Sequence, residues 1–225
     1  MAKDRMAVLA AMMEQGVIPV FYHPDVEVCT NVIQACANGG AKCIEFTNRG
    51  EFASNVFYEV TRYFAKADPS VIMGVGSVVD APTAGIFIAG GAKFVVGPVL
   101  NPDVAKLCNR RKIPYSPGCG TVSEISYAEE LGCEIVKIFP DSSVGGPEFV
   151  KAVLGPMPWT RLMPTGGVDP TEESLAKWFG AGIGAAGIGS KLITAELLKA
   201  EDYAGIEQKV RDTIALFKKI RWKLP

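Results

Sequence analysis

Residues 134–140 read Glu-Ile-Val-Lys-Ile-Phe-Pro, a short β-branched apolar run that ends at a proline. That is the signature of a strand buried on both faces, as in a parallel sheet. Lys137 stands in the middle of it. Burying an ammonium costs on the order of several kcal/mol, more than a neutral polar group does, unless it is paired or loses its proton. Desolvation lowers a lysine pKa, and a neutral lysine attacks carbonyl carbon. The plainer alternative is a lysine whose stem is buried and whose ammonium reaches water at the strand end.

Outward from this strand one unit recurs: a short apolar strand, a turn, and a helix of about a dozen residues. Strands are expected at 17–22, 42–47, 71–75, 94–96, 115–116, 134–139, 161–164 and 183–188. Helices are expected at 25–38, 52–67, 81–89, 102–111, 121–131, 147–154 and 170–179, and over 191–220 with a break near Asp202. A short amphipathic helix over 4–15, closed by Gly16, precedes them. Asn101-Pro102 and Asp169-Pro170 pair an N-cap with a first-turn proline, and Thr121 with Glu124 has capping-box spacing. No linker or shift in composition divides the 225 residues, so one domain over 1–225 is expected. Eight strand–helix units point to an α/β protein, a (β/α)8 TIM barrel with an N-terminal helix; the competing arrangement is an open doubly wound sheet.

Composition narrows the function. The net charge is −1 with acids and bases interspersed, which gives no reason to expect nucleic acid or a membrane surface as partner. The six cysteines include no CxxC pair and lie in apolar segments, the pattern of buried thiols in a reducing cytoplasm. The single histidine, His23, leaves little for a His-ligated metal or a His-dependent triad, so no metal and no cofactor is expected. Gly182–Gly187 matches GxGxxG, but it lies in the last strand and lacks the following acid, so no dinucleotide site is expected.

In a (β/α)8 barrel the chemistry lies at the C-terminal strand ends. Glu45 repeats the oddity of Lys137, a charge within an apolar strand (Cys-Ile-Glu-Phe-Thr), and strands 2 and 6 face each other across such a barrel. One reading is a buried ion pair, which is weak evidence for stability. The other makes Lys137 a Schiff-base nucleophile and Glu45 its general acid/base. Arg49, Gly74–Ser77, Gly97-Pro98, Ser116–Gly118 and Thr165 stand at the other strand ends. Gly166-Gly167 and Gly189-Ser190 follow strands 7 and 8, where barrels commonly hold a phosphate.

Taken in order, Ile44–Arg49, Gly74–Val78, Ser116–Gly118, Val136–Pro140, Pro164–Val168 and Gly187–Ser190 resemble the class I KDPG/KHG aldolases, which act on 2-keto-3-deoxy-6-phosphogluconate and 4-hydroxy-2-oxoglutarate. The resemblance runs from about Gly16 to Leu192. It implies a metal-free barrel, usually a homotrimer, acting on a small 2-keto acid through Lys137 and Glu45. It further implies that Arg49, Ser77, Pro98, Phe139 and Thr165 surround the pyruvyl part and that Gly166, Gly167, Gly189 and Ser190 take the phosphate. Phe21-Tyr22-His23 stands where many members have an arginine, and Asp141 where a small residue is common. A galactonate-configured substrate and a non-catalytic phosphosugar-binding barrel are the competing functions.

Overall fold

The computed structural model describes residues 4–223; the ends of the expected 1–225 domain, 1–3 and 224–225, lie outside the described residues. In chain order the elements are α1 (Arg5–Gln15), β1 (Val17–Phe21), α2 (Val26–Asn38), β2 (Cys43–Thr47), α3 (Ala53–Ala67), β3 (Ile72–Gly76), α4 (Ala81–Ala89), β4 (Val95–Val96) and α5 (Pro102–Arg111). They continue with β5 (Tyr115–Ser116), β6 (Gly118–Cys119), α6 (Val122–Glu130), β7 (Val136–Ile138), α7 (Gly146–Leu154), β8 (Leu162–Pro164), α8 (Glu172–Gly180), β9 (Ala186–Ile188), α9 (Ala195–Lys199) and α10 (Tyr203–Lys223).

Every strand pairing is parallel. One curled sheet runs β5-β4-β3-β2-β1-β9 and a second runs β6-β7-β8. The expected fifth strand, 115–116, is present as β5, and beyond Pro117 the chain pairs again as the unexpected β6 in the second sheet. A proline cannot donate to a ladder, but its carbonyl accepts from Lys137 N–H at 3.0 Å, while Ser116 O accepts from Gly97 N–H at 3.1 Å on the other side. Between β8 and β9 there is a parallel bridge, Thr165 to Gly187, and Gly184 N–H donates to Leu162 O at 3.0 Å.

Period-2 alternation splits the buried side chains into two sets. On β2, Ile44 and Phe46 join the layer beneath the helices with Val56, Phe57 and Val60. Cys43 points the other way and meets Ile18, Ile72, Phe94, Ile135 and Met163. Val8, Leu9 and Met12 of α1 complete that inner set, so α1 covers the N-terminal ends of the strands. Burying each large apolar side chain contributes about 1.5–3 kcal/mol. Asp4 caps α1 by accepting from Ala7 N–H at 2.8 Å, and Gly16 ends it at φ +70, where glycine is the residue without strain. Arg5 pins the helix by donating to both Glu134 oxygens, at 2.7 and 2.8 Å, just before β7.

The predicted caps at Asn101 and Thr121 are present, the latter as a full capping box. Two helix starts differ by more than one residue, and the strands expected at 134–139 and 183–188 are shorter, Val136–Ile138 and Ala186–Ile188. Helix α8 starts after Thr171, whose hydroxyl accepts from Ser174 N–H, so Asp169-Pro170 lies in the preceding turn. Residues 191–194 are not helical: Gly189 O accepts from Leu192 and Ile193 N–H, and the chain restarts as a helix at the Thr194 cap. The break near Asp202 lies between α9 and α10. Among the described residues no disulfide joins the six buried cysteines, and burial pushes the Cys29, Cys36 and Cys108 thiols up to about 12, which keeps them protonated and unreactive. No helix among the described residues is long and apolar enough to cross a membrane.

Candidate active site

A cavity of about 500 Å³ opens at the C-terminal ends of the strands. Glu45, Arg49, Ser77, Lys137, Phe139, Thr165, Gly166, Gly189 and Ser190 all line it, nine of the residues that the sequence nominated. Pro98 and Gly167 do not. The Pro98 carbonyl packs over Gly118, leaving no space there for a Cβ, and the Gly167 N–H turns away to Asp141. Tyr22 lies in the wall at the end of β1, edge-on to Phe46 at 5.5 Å between ring centroids. Thr47, Val20 and Lys191 also line the cavity and were not singled out from sequence. Thr47 could have been, because it is two residues beyond Glu45 and period 2 puts it on the same face.

Glu45 and Lys137 reach the cavity from inward positions on β2 and β7, and are only 2% and 6% exposed. Their neighbours make the room. A Cβ on Gly76, which pairs with Thr47 across β3 and β2, would fall on Glu45 Oε1, and one on Gly187 would crowd Thr165 Oγ1. Glu45 Oε2 and Thr165 Oγ1 are buried with no hydrogen-bond partner among the described residues. Such atoms are costly in an interior and are expected where a ligand is to be met.

Burial pushes the Glu45 carboxyl up; the charges of Lys137 and Arg49 pull against this. Burial pushes the Lys137 amine down, with Glu45 opposing, Arg49 assisting and Asp141 opposing. Each group is driven toward its neutral form, which leaves an amine able to attack a carbonyl and a carboxyl able to exchange a proton in one cavity. The Phe139 ring covers Lys137, with Nζ 4.7 Å from the ring centroid. Arg49 donates to Ser77 Oγ at 3.3 Å. Ser77 holds φ +59, a left-handed conformation that strains a non-glycine residue by about 1–2 kcal/mol and that recurs at functional sites. Asp141, buried at 2% exposure, accepts from Ser142 N–H and Gly167 N–H, each at 2.7 Å, and so ties the end of β7 to the turn after β8.

Residues 8–209 match the sequence profile of the aldolase family described as KDPG and KHG aldolase. The chain belongs to that family. The KHG/KDPG aldolase of Escherichia coli K12 is 32% identical over 200 residues, 88% of this chain and 90% of that protein. The 2-dehydro-3-deoxy-phosphogluconate aldolase of Haemophilus influenzae is 30% identical over 213 residues, 94% of this chain and 97% of that one. The KDPG aldolase of Legionella pneumophila, solved with pyruvate captured at low pH as a covalent carbinolamine intermediate, superposes with a TM-score of 0.83 at 25% identity, over 93% of this chain and 97% of that one. Membership makes the chain an aldolase, an enzyme of the lyase class.

Proposed function

We propose that the chain is a Schiff-base aldolase that reversibly cleaves 2-keto-3-deoxy-6-phosphogluconate into pyruvate and glyceraldehyde 3-phosphate. The observation that carries this reading is a lysine amine, Lys137, buried and driven toward neutrality in one cavity with a buried glutamate, Glu45. The reading includes a closed (β/α)8 barrel, supported by the continuity of β5 and β6 through Pro117 and by the Thr165–Gly187 bridge.

In this mechanism the Lys137 Nζ lone pair attacks the C2 carbonyl, and the carbinolamine hydroxyl leaves as water with a proton from Glu45. Glu45, directly or through a water, then takes the C4 hydroxyl proton. The C3–C4 bond breaks, its electrons pass into the iminium to give an enamine, and the aldehyde is released. Glu45 returns the proton to C3, and water hydrolyses the iminium to free pyruvate and the amine. Arg49, Ser77 and Thr165 surround the pyruvyl carboxylate and carbonyl, Phe139 packs on the imine, and Gly166, Gly189 and Ser190 face the phosphate. Gly167 is left out of that set, because its N–H is engaged by Asp141.

The unphosphorylated 4-hydroxy-2-oxoglutarate is a second substrate in this reading, supported by the Escherichia coli relative, whose name joins both activities. A galactonate-configured substrate is the competing choice, with Tyr22 shaping the end of the pocket where many members have an arginine. A cytoplasmic homotrimer is carried over from the family resemblance, and light scattering on the purified protein tests the trimer.

The deciding experiment is borohydride reduction in the presence of pyruvate, followed by intact-mass and peptide mass spectrometry. The expected result is one pyruvyl-sized adduct on Lys137, and neither adduct nor turnover in Lys137→Ala. A folded wild-type protein that traps nothing would replace this reading with a non-catalytic phosphosugar-binding barrel.

A further inference from the structure

The far end of the cavity does not carry the donors that its glycine pairs suggest. Gly167 N–H donates to Asp141 Oδ2 at 2.7 Å, so one of the expected backbone donors is satisfied within the protein. The same contact fixes a carboxylate behind the turn, held on its other oxygen by Ser142 N–H. A ligand anion placed there loses a donor and gains a repulsive neighbour.

Lys191 changes that balance. It lines the cavity directly after Gly189 and Ser190, and no step of the proposed reaction uses it. Its partner is Asp169, with Nζ 3.6 Å from Oδ1 and side chains 66% and 51% exposed. Exposed pairs of this kind hold their members weakly, so the ammonium is easily given up to a better anion. Besides Tyr22, the ionisable side chains of the wall are Arg49, Lys137 and Lys191 against Glu45, with Lys137 driven toward neutrality by burial. The fixed cations therefore sit at two places. Arg49 follows β2 and Lys191 follows β9, with β1 between them. Two strand spacings put these sites about 10 Å apart at the sheet. Such a wall matches a ligand with an anionic group at each end.

We propose that Lys191 is a specificity-determining residue: its ammonium binds the distal phosphate of a phosphorylated 4-hydroxy-2-keto acid, in place of the donor that Asp141 withdraws. This rests on the aldolase reading above and names a residue that the sequence motifs do not contain. A charge-assisted contact to phosphate is among the stronger hydrogen bonds, and Lys191 meets only the substrate's far end, so its effect belongs in KM and not in kcat.

The test compares wild type, Lys191→Ala and Lys191→Arg on 2-keto-3-deoxy-6-phosphogluconate and on its unphosphorylated counterpart 2-keto-3-deoxygluconate, which ends in a neutral hydroxyl, with pyruvate trapping by borohydride run alongside. For Lys191→Ala the expected result is a rise of about tenfold or more in KM for the phosphorylated substrate, with kcat within about twofold and the unphosphorylated substrate unaffected. Inorganic phosphate should inhibit turnover of the unphosphorylated substrate less in Lys191→Ala than in wild type, and Lys191→Arg should restore most of both effects. Equal loss on the two substrates, no loss on either, or a wild type indifferent to the phosphate overturns the assignment. Trapping separates this from the parent reading. If the wild type traps no pyruvate, the aldolase mechanism falls; if both proteins trap pyruvate equally and no phosphate-dependent difference follows, only the role of Lys191 falls.

Discussion

The inward faces of the strands carry two rows of residues, one pleat repeat apart. The row at the N-terminal ends is Ile18, Cys43, Ile72, Ile135, Met163 and Ala185, packed under Val8, Leu9 and Met12 of α1. Two residues further along the same strands stand Val20, Glu45, Gly74, Lys137, Thr165 and Gly187. Two residues span about 7 Å. Over that distance the interior changes from methyl groups in contact to two buried ionisable groups, a buried hydroxyl oxygen with no hydrogen-bond partner among the described residues, and glycines that leave space. The first row is what a stable core looks like. The second row costs stability at every charged position and is tolerable because the first row and α1 already hold the strands together.

The division can be broken or sharpened by substitution. The largest effect among these belongs to Glu45→Gln, which on the proposed mechanism should lower turnover by about 10²–10⁴-fold by removing the proton carrier while some imine still forms. It also carries a sign. The Glu45 carboxylate raises the Lys137 pKa, so its removal should move the pH midpoint of borohydride trapping downward, and the wild-type midpoint should itself lie below the ordinary lysine range. A midpoint that stays where it is in Glu45→Gln would mean that the two groups do not share a field. Gly76→Ala comes next. Its new methyl would occupy the place of Glu45 Oε1, and displacement of a catalytic atom by about 1 Å can cost about 10²-fold. Circular dichroism should show the fold retained while kcat drops; an unchanged kcat would show that the carboxylate has room elsewhere. The smallest effect on catalysis belongs to Met12→Ala in the packed row. It should cost about 2–5 kcal/mol in denaturant unfolding while kcat of the folded protein stays within about twofold. A kcat loss matching that of Gly76→Ala would erase the distinction between the rows.

Much of this was legible in the sequence because parallel strands buried on both faces have little freedom to hide a charge. Lys137 and Glu45 stand out in Glu-Ile-Val-Lys-Ile-Phe-Pro and Cys-Ile-Glu-Phe-Thr for that reason, and both line the cavity. Caps were equally readable at Asn101 and Thr121, where a local side-chain bond decides the boundary. Two of the failures, at Gly167 and Pro98, come from contacts distant along the chain, and the third from a local turn. Nothing local says that Asp141 will take the N–H of Gly167, a residue 26 positions away, and so remove it from the cavity. Pro98 looked like a wall residue because it ends a strand, but its carbonyl packs over Gly118 instead. Lys191 was read as the start of a helix. The turn closed on Gly189 O leaves it on the rim of the cavity.

The helix across the N-terminal ends has a consequence for traffic. With α1 and the packed row closing that end, the cavity opens at the C-terminal ends of the strands, where substrate enters and both products leave. In the proposed reaction pyruvate stays bonded to Lys137 until the iminium is hydrolysed, so the aldehyde departs first. The order of release is then set by a covalent bond, and the shared doorway asks only that the two products leave in turn.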